Sequence, residues 1–277
     1  MAKITAAEVN KLRKQTGAGM MDCKKALVEA EGDFDAAIDI LRKKGQKVAA
    51  KRADREASEG AVLATTNADN TVGVLVSVNC ETDFVAKNEG FVQLAEQVLK
   101  VAMENTPDTK EELYALSFDG SMSVEEKLTD QTGVIGEKIE VSTYEKLEAP
   151  YVAAYIHAGN KLASLVGLSA VPSHDDAGKN VAMQVAAMSP ISIDKGGIDQ
   201  ETIGRELEVG RDLARQEGKP EEMLDRIAQG RLGKFFKENT LMSQAYIKES
   251  KQSVSDYLNS VDKGLSATAF KRVGLGG

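Results

Sequence analysis

Apolar residues recur at helical spacing in three short opening stretches, and then the pattern changes. Residues 4–15 set Val9 and Leu12 on one face, with Thr5 placed to cap and Glu8 three residues on, the spacing of a capping box. Thr16-Gly17-Ala18-Gly19 stops that helix. Residues 21–30 predict a second helix and residues 34–44 a third, with Ala37, Ile38 and Leu41 on one side and Gly45 closing it. Residues 46–60 carry no apolar stripe after Val48 and read as a linker that begins helical. From Gly60 β-branched and apolar residues take over: residues 61–66 and 72–78, joined by Asn67-Ala68-Asp69-Asn70, predict a hairpin. Residues 84–102 return to helical spacing through Val92, Leu94, Ala95, Val98, Leu99 and Ala102, and Thr106-Pro107 ends them. A short helix is expected over 110–116. Another opens at the capping box Ser123-Val124-Glu125-Glu126 and runs through Ile135. A brief strand at 139–141 and a linker at 147–150 follow.

The hairpin then returns. Residues 61–76 align without gaps on 151–166 at a shift of 90, with Val62 on Val152, Asn70 on Asn160 and Leu75-Val76 on Leu165-Val166. A helix follows at 179–188, where Gln184-Val185 stand opposite Gln97-Val98 at a shift of 87. The core is therefore expected to be duplicated. The Thr82-Asp83-Phe84 corner belongs to the first copy, and the second has Ser173-His174-Asp175 nearby and no aromatic residue. Residues 199–216 and 221–237 predict an antiparallel pair of charged helices joined at Gly218-Lys219-Pro220. Gly204, Gly210, Gly230 and Gly233 are expected to weaken that arm, each by up to about 1 kcal/mol. A helix at 254–258 and a strand at 267–273 complete the pattern.

The fold class expected is α+β. A three-helix head with the start of a linker covers 1–55. One core subdomain covers 56–148, and a second covers 149–277 with the arm inserted at about 199–237. Charge sharpens this division. Residues 1–55 carry 13 Lys and Arg against 8 Asp and Glu, a balance of +5 in a chain whose total is −8. A basic head on an acidic body suits an anionic partner surface. The run Lys43, Lys44, Lys47, Lys51, Arg52, Arg55 has no interleaved aromatic residues for base stacking, so it reads as a solvated face and nucleic acid is not the expected partner.

Candidate chemistry is sparse. Two histidines, His157 and His174, and two cysteines, Cys23 and Cys80, give no zinc spacing and no disulfide framework. Gly17 and Gly19 are not followed by the Gly-Lys-Ser/Thr of a phosphate loop. No metal, cofactor or catalytic residue is expected. No apolar run nears the roughly 20 residues of a membrane span, and the first residues lack a signal pattern, so a cytoplasmic protein is expected.

The most informative stretch is Asn79-Cys80-Glu81-Thr82-Asp83-Phe84-Val85-Ala86-Lys87, where a strand hands over to a helix. Two readings stand side by side. Thr82 or Asp83 caps the helix and Phe84 packs in its first turn, or the corner presents Phe84 to solvent. The glycine loop has a similar pair of readings: methionines in a core, or Met20 and Met21 at an adaptable contact surface.

Four segments carry a resemblance to a known family. Leu12-Arg13-Lys14-Gln15-Thr16-Gly17-Ala18-Gly19-Met20-Met21-Asp22-Cys23-Lys24-Lys25-Ala26-Leu27 and the Thr82-Asp83-Phe84 corner resemble signatures of elongation factor Ts. Tyr155-Ile156-His157-Ala158-Gly159-Asn160 and residues 234–248 resemble further family segments, although Ala163-Ser164 stand where glycine-valine is usual. The head resembles a ubiquitin-associated fold. The resemblance implies a guanine-nucleotide exchange factor for elongation factor Tu, not an enzyme, with no nucleotide of its own. It implies that Phe84 enters the partner's GTPase domain as a wedge. Thr82, Asp83 and Val85 would help dislodge the partner's Mg²⁺. Arg13, Thr16, Met20, Met21 and His157 would make other contacts. The arm could pair with a second copy or touch the partner. The C-terminal helical module of some family members is not expected here, nor is its contact. An adaptor acting through its basic head is the rival class, and it leaves the Thr82-Asp83-Phe84 corner unexplained. For a small-molecule enzyme, the third class, no acid–base or nucleophile constellation is present.

Overall fold

A computed structural model describes residues 4–174 and 176–276. Asp175 of the Ser173-His174-Asp175 segment lies outside them. By contact the chain divides in two. One unit takes in the described residues of Met1–Leu63, Val76–Tyr144 and Leu275–Gly277, and the other those of Ala64–Leu75 and Glu145–Gly274.

The first unit opens with α1 (Ala6–Thr16), α2 (Met20–Glu29) and α3 (Phe34–Arg52). Strand β1 (Glu59–Thr66) begins in it and β2 (Val72–Cys80) ends in it. Then come α4 (Asp83–Ala86), α5 (Glu89–Asn105), α6 (Lys110–Ala115), α7 (Val124–Ile135) and the start of β3 (Glu140–Glu148). The strands form a sheet in the order β1-β2-β3. Leu12, Cys23, Leu27 and Ala37 make the sealed centre of the helical head. The Thr5 box forms as expected: its backbone N–H reaches Glu8 Oε2 at 2.7 Å, and Glu8 N–H reaches Thr5 Oγ1 at 3.3 Å.

Three sequence expectations are corrected here. Gly45 does not end α3, which runs on to Arg52. Gly45 is instead the point where α3 meets α7. A Cβ built on Gly133 would stand 2.3 Å from Gly45 Cα, so only glycine lets the two backbones come this close. The helix expected over 84–102 is broken: α4 is a single turn, and Asn88 caps a new start for α5, accepting from Gly90 N–H at 2.9 Å. Phe91, Leu94, Ala95, Val98 and Ala102 line the buried face of α5 at helical spacing. Third, the linker at 147–150 begins inside β3, a nine-residue strand.

In the second unit the hairpin of β4 (Tyr151–Ile156) and β5 (Leu162–Leu168) pairs with a returning strand, and α8 (Asp176–Met188) follows β5. The helix pair is α9 (Gln200–Gln216) and α10 (Glu221–Asn239). A small ladder joins β6 (Ala245–Tyr246) to β7 (Glu249–Ser253), and α11 (Val254–Val261) leads to β8 (Ala267–Gly274). The sheet order is β4-β5-β8, all antiparallel. Val166, Leu168, Val181, Val185, Leu241 and Leu258 form its core. Ser164, a polar residue on a buried strand, is satisfied: its hydroxyl donates to Ala182 O at 2.7 Å. The middle of the first hairpin belongs to this unit because Ala149 and Val152 N–H donate to Thr71 and Asn70 carbonyls at 3.1 and 2.6 Å. Gly73 permits that approach, since a Cβ there would fall 2.7 Å from Val152 Cγ1.

Gly210 has a packing role in the arm. It is buried, and a Cβ on it would lie 3.1 Å from Ala228 Cα, so it sets the spacing of α9 against α10. The ion pairs Arg211–Asp225, Arg215–Glu221 and Arg231–Glu217 span the pair at 2.7, 3.0 and 2.6 Å. They are largely exposed and add only about 0–1 kcal/mol each, so the small-residue contact matters more.

Candidate protein-contact corner

The corner begins with a buried strand end. Val78 and Cys80 are sealed, and burial pushes the Cys80 thiol up to about 12, with the Glu137 charge adding to the effect. Cys80 is thus a packed thiol that also donates to Thr82 O at 3.2 Å. The chain then leaves the sheet. Thr82 takes an extended backbone and caps α4, accepting from Val85 N–H at 3.4 Å. Both sequence readings therefore hold in part: Thr82 does cap, but Phe84 does not pack. Phe84 is 84% exposed, more than any other large apolar side chain among the described residues. Val85 is half-buried and Ala86 buried. Asp83 meets Lys87 one turn on at 2.6 Å, which raises the lysine above its ordinary value.

A four-residue turn cannot hold itself, because helix nucleation is unfavourable. Distant residues hold this one. Glu137 accepts from the backbone N–H of Glu81 and Thr82 at 3.1 and 3.0 Å, and from the Thr82 hydroxyl at 2.7 Å. Glu81 returns the arrangement: its carboxylate accepts from Lys138 N–H at 2.7 Å and from Arg52 Nη1 at 2.7 and 2.9 Å. Glu137 thus holds the backbone of Glu81 and Thr82, and Glu81 holds the backbone of Lys138, the neighbour of Glu137. Sequence reading missed Glu81, Glu137 and Lys138, and it assigned Arg52 to a solvated run. Their partners lie 29 to 57 residues away, so no local spacing could reveal them.

Glu81 lies below the usual carboxylate range, chiefly through the Lys138 N–H and then through Arg52. A depressed carboxylate stabilises the folded corner above its unfolded value, and that contribution is lost as pH falls through the folded value. The amide proton shift of Lys138 should therefore titrate with a midpoint under 4.5, and stop doing so in Glu81→Gln. A midpoint at or above 4.5 would contradict the clasp.

The other sequence-predicted positions are distributed. Met20 and Met21 are 48% and 62% exposed in the first turn of α2, so the surface reading of the methionines fits. Arg13 is exposed near the end of α1. Thr16 turns inward, its hydroxyl donating to Leu12 O at 2.8 Å and accepting from Ala18 N–H at 3.3 Å. These four share the first unit with the corner. His157 belongs to the second, exposed at the β4–β5 turn, with Nδ1 2.9 Å from the Tyr155 hydroxyl. Among the described residues no group of three or more His, Cys, Asp or Glu side chains is arranged to hold a metal ion. No helix among them is long and apolar enough to cross a membrane.

Fold and corner together define an α+β protein that offers an aromatic side chain to solvent from a turn held by hydrogen bonds. A family model described as Elongation factor TS matches residues 81–277. An Elongation factor Ts of Christiangramia forsetii is 62% identical over 277 residues, covering all of both chains. Those of Flavobacterium psychrophilum and Amoebophilus asiaticus are 56% identical over 277 residues and 53% over 275, covering at least 99% of each chain. The chain belongs to the elongation factor Ts family. It is a family of translation elongation factors, active in nucleotide exchange during protein biosynthesis.

Proposed function

We propose that this chain binds elongation factor Tu in its GDP form and speeds GDP release, without itself transforming a substrate. Phe84 is the wedge that enters between helices of the partner's GTPase domain. Thr82, Asp83 and Val85 flank it and disturb the region that holds Mg²⁺ on the nucleotide. Weaker metal and phosphate contacts let GDP leave and GTP enter. By linkage, a factor that prefers the nucleotide-free partner must itself be displaced when nucleotide binds.

The observation that carries this reading is the exposure of Phe84 on a corner held by Arg52, Glu137 and Lys138. The helical head is the ubiquitin-associated-like docking module, with Met20 and Met21 as adaptable contacts beside Arg13 and Thr16. The two hairpin sheets are the duplicated scaffold, and His157 adds a contact from the second. The inserted arm is left to self-association or a further partner contact. The setting is the cytoplasm, where translation runs.

Release of a fluorescent GDP analogue from purified elongation factor Tu tests the proposal. Substoichiometric amounts of this protein should accelerate release catalytically. A folded protein that leaves release unchanged would overturn the reading.

A further inference from the structure

We infer that Glu137 and Arg52 are positioning residues for the Phe84 wedge, set in place together by the Gly45–Gly133 crossing of α3 and α7. This rests on the exchange reading above and assigns those residues a part in it. Gly45 and Arg52 are seven residues apart, close to two helical turns, so they lie on one side of α3. The side that touches Gly133 thus also carries the guanidinium that grips Glu81. On α7, Gly133 lies three residues before Gly136, whose left-handed φ of 82° ends the helix. The next residue is Glu137, which takes the N–H groups of Glu81 and Thr82. One helix crossing therefore fixes both halves of the clasp. Phe84 follows two residues after Thr82 and has little packing of its own to hold its direction. Its aim is inherited from that crossing.

Neither Glu137 nor Arg52 needs to touch the partner in this scheme. Their effect passes through the corner, so it must depend on Phe84. The test is a cycle of wild type, Glu137→Gln, Phe84→Ala and the double variant, read by nucleotide release from elongation factor Tu. Glu137→Gln should lower the maximal release rate roughly tenfold, a coupling typical of neighbouring groups. The half-saturating concentration should shift less than about twofold, because Met20 and Met21 are untouched. Phe84→Ala should cost much less in the Glu137→Gln background than in wild type. Full additivity, or no effect of Glu137→Gln on a folded protein, overturns the inference. If Glu137→Gln does not fold, Arg52→Gln at the half-exposed end of α3 replaces it in the same cycle with the same criteria. A wild-type background in which Phe84→Ala changes nothing would instead sink the exchange reading, so the two failures are distinguishable.

Discussion

Phe84→Ala is expected to slow nucleotide release from elongation factor Tu by roughly 30-fold while leaving the melting temperature of this protein unchanged. The two halves of that result have separate causes. A buried aromatic anchor at an interface is commonly worth 2 kcal/mol or more, which is about 30-fold. In the free protein, however, the ring is 84% exposed, so its removal opens no cavity. The clasp beneath it joins the side chains of Arg52, Glu81 and Glu137 to backbone N–H groups and the Thr82 hydroxyl, none of which the substitution removes. A loss under about threefold would show that the wedge is not Phe84. A large drop in melting temperature would show that the ring packs after all.

The second large effect concerns stability. Gly133→Ala should destabilise the protein by about 3 kcal/mol, near the upper end for overpacking, and lower Tm by roughly 6–10 °C. The added methyl would meet Gly45 Cα at 2.3 Å, and a backbone atom cannot swing aside as a side-chain end can. Gly45→Ala should be milder, because its Cβ would stand 3.7 Å from Gly133 Cα. Gly230→Ala is the control. It sits in α10 with nothing within 4 Å, so the same change should be neutral or stabilise by up to about 1 kcal/mol. Equal effects at Gly133 and Gly230 would refute the close helix approach. Thermal unfolding of the three variants decides it.

Local chemistry was readable in the sequence, and chemistry that acts over distance was not. The boxes at Thr5 and Ser123 depend on residues three apart, and both form. Asn70 and Asn160, matched at a shift of 90, both adopt the left-handed conformation, with φ of 53° and 56°. Asparagine tolerates that geometry at small cost, so the pairing reflected a shared turn. Gly45 misled because a glycine after a helical stretch is a common stop, and only Gly133, far along the chain, turns it into a contact. Asn88 could have been recognised as a cap, since Glu89 follows it. Gln97 and Gln184 aligned as letters yet differ in setting. Gln97 is exposed, whereas Gln184 is sealed and bonded to Gln244, Ala245 and Ile247. The corner itself was half legible: the cap and the aromatic residue are local, but the carboxylates that hold them are not.

The clasp also bears on imitation. A linear peptide copying residues 79–105 would contain Phe84 and its flanking residues but none of Arg52, Glu137 or Lys138. Its first turn would be unravelled most of the time, since isolated helices shorter than about 12 residues are marginal in water. Such a peptide should compete poorly for the same pocket. A useful mimic or graft would have to bring a scaffold that supplies an acceptor for two adjacent backbone N–H groups. The wedge is portable only together with its holder.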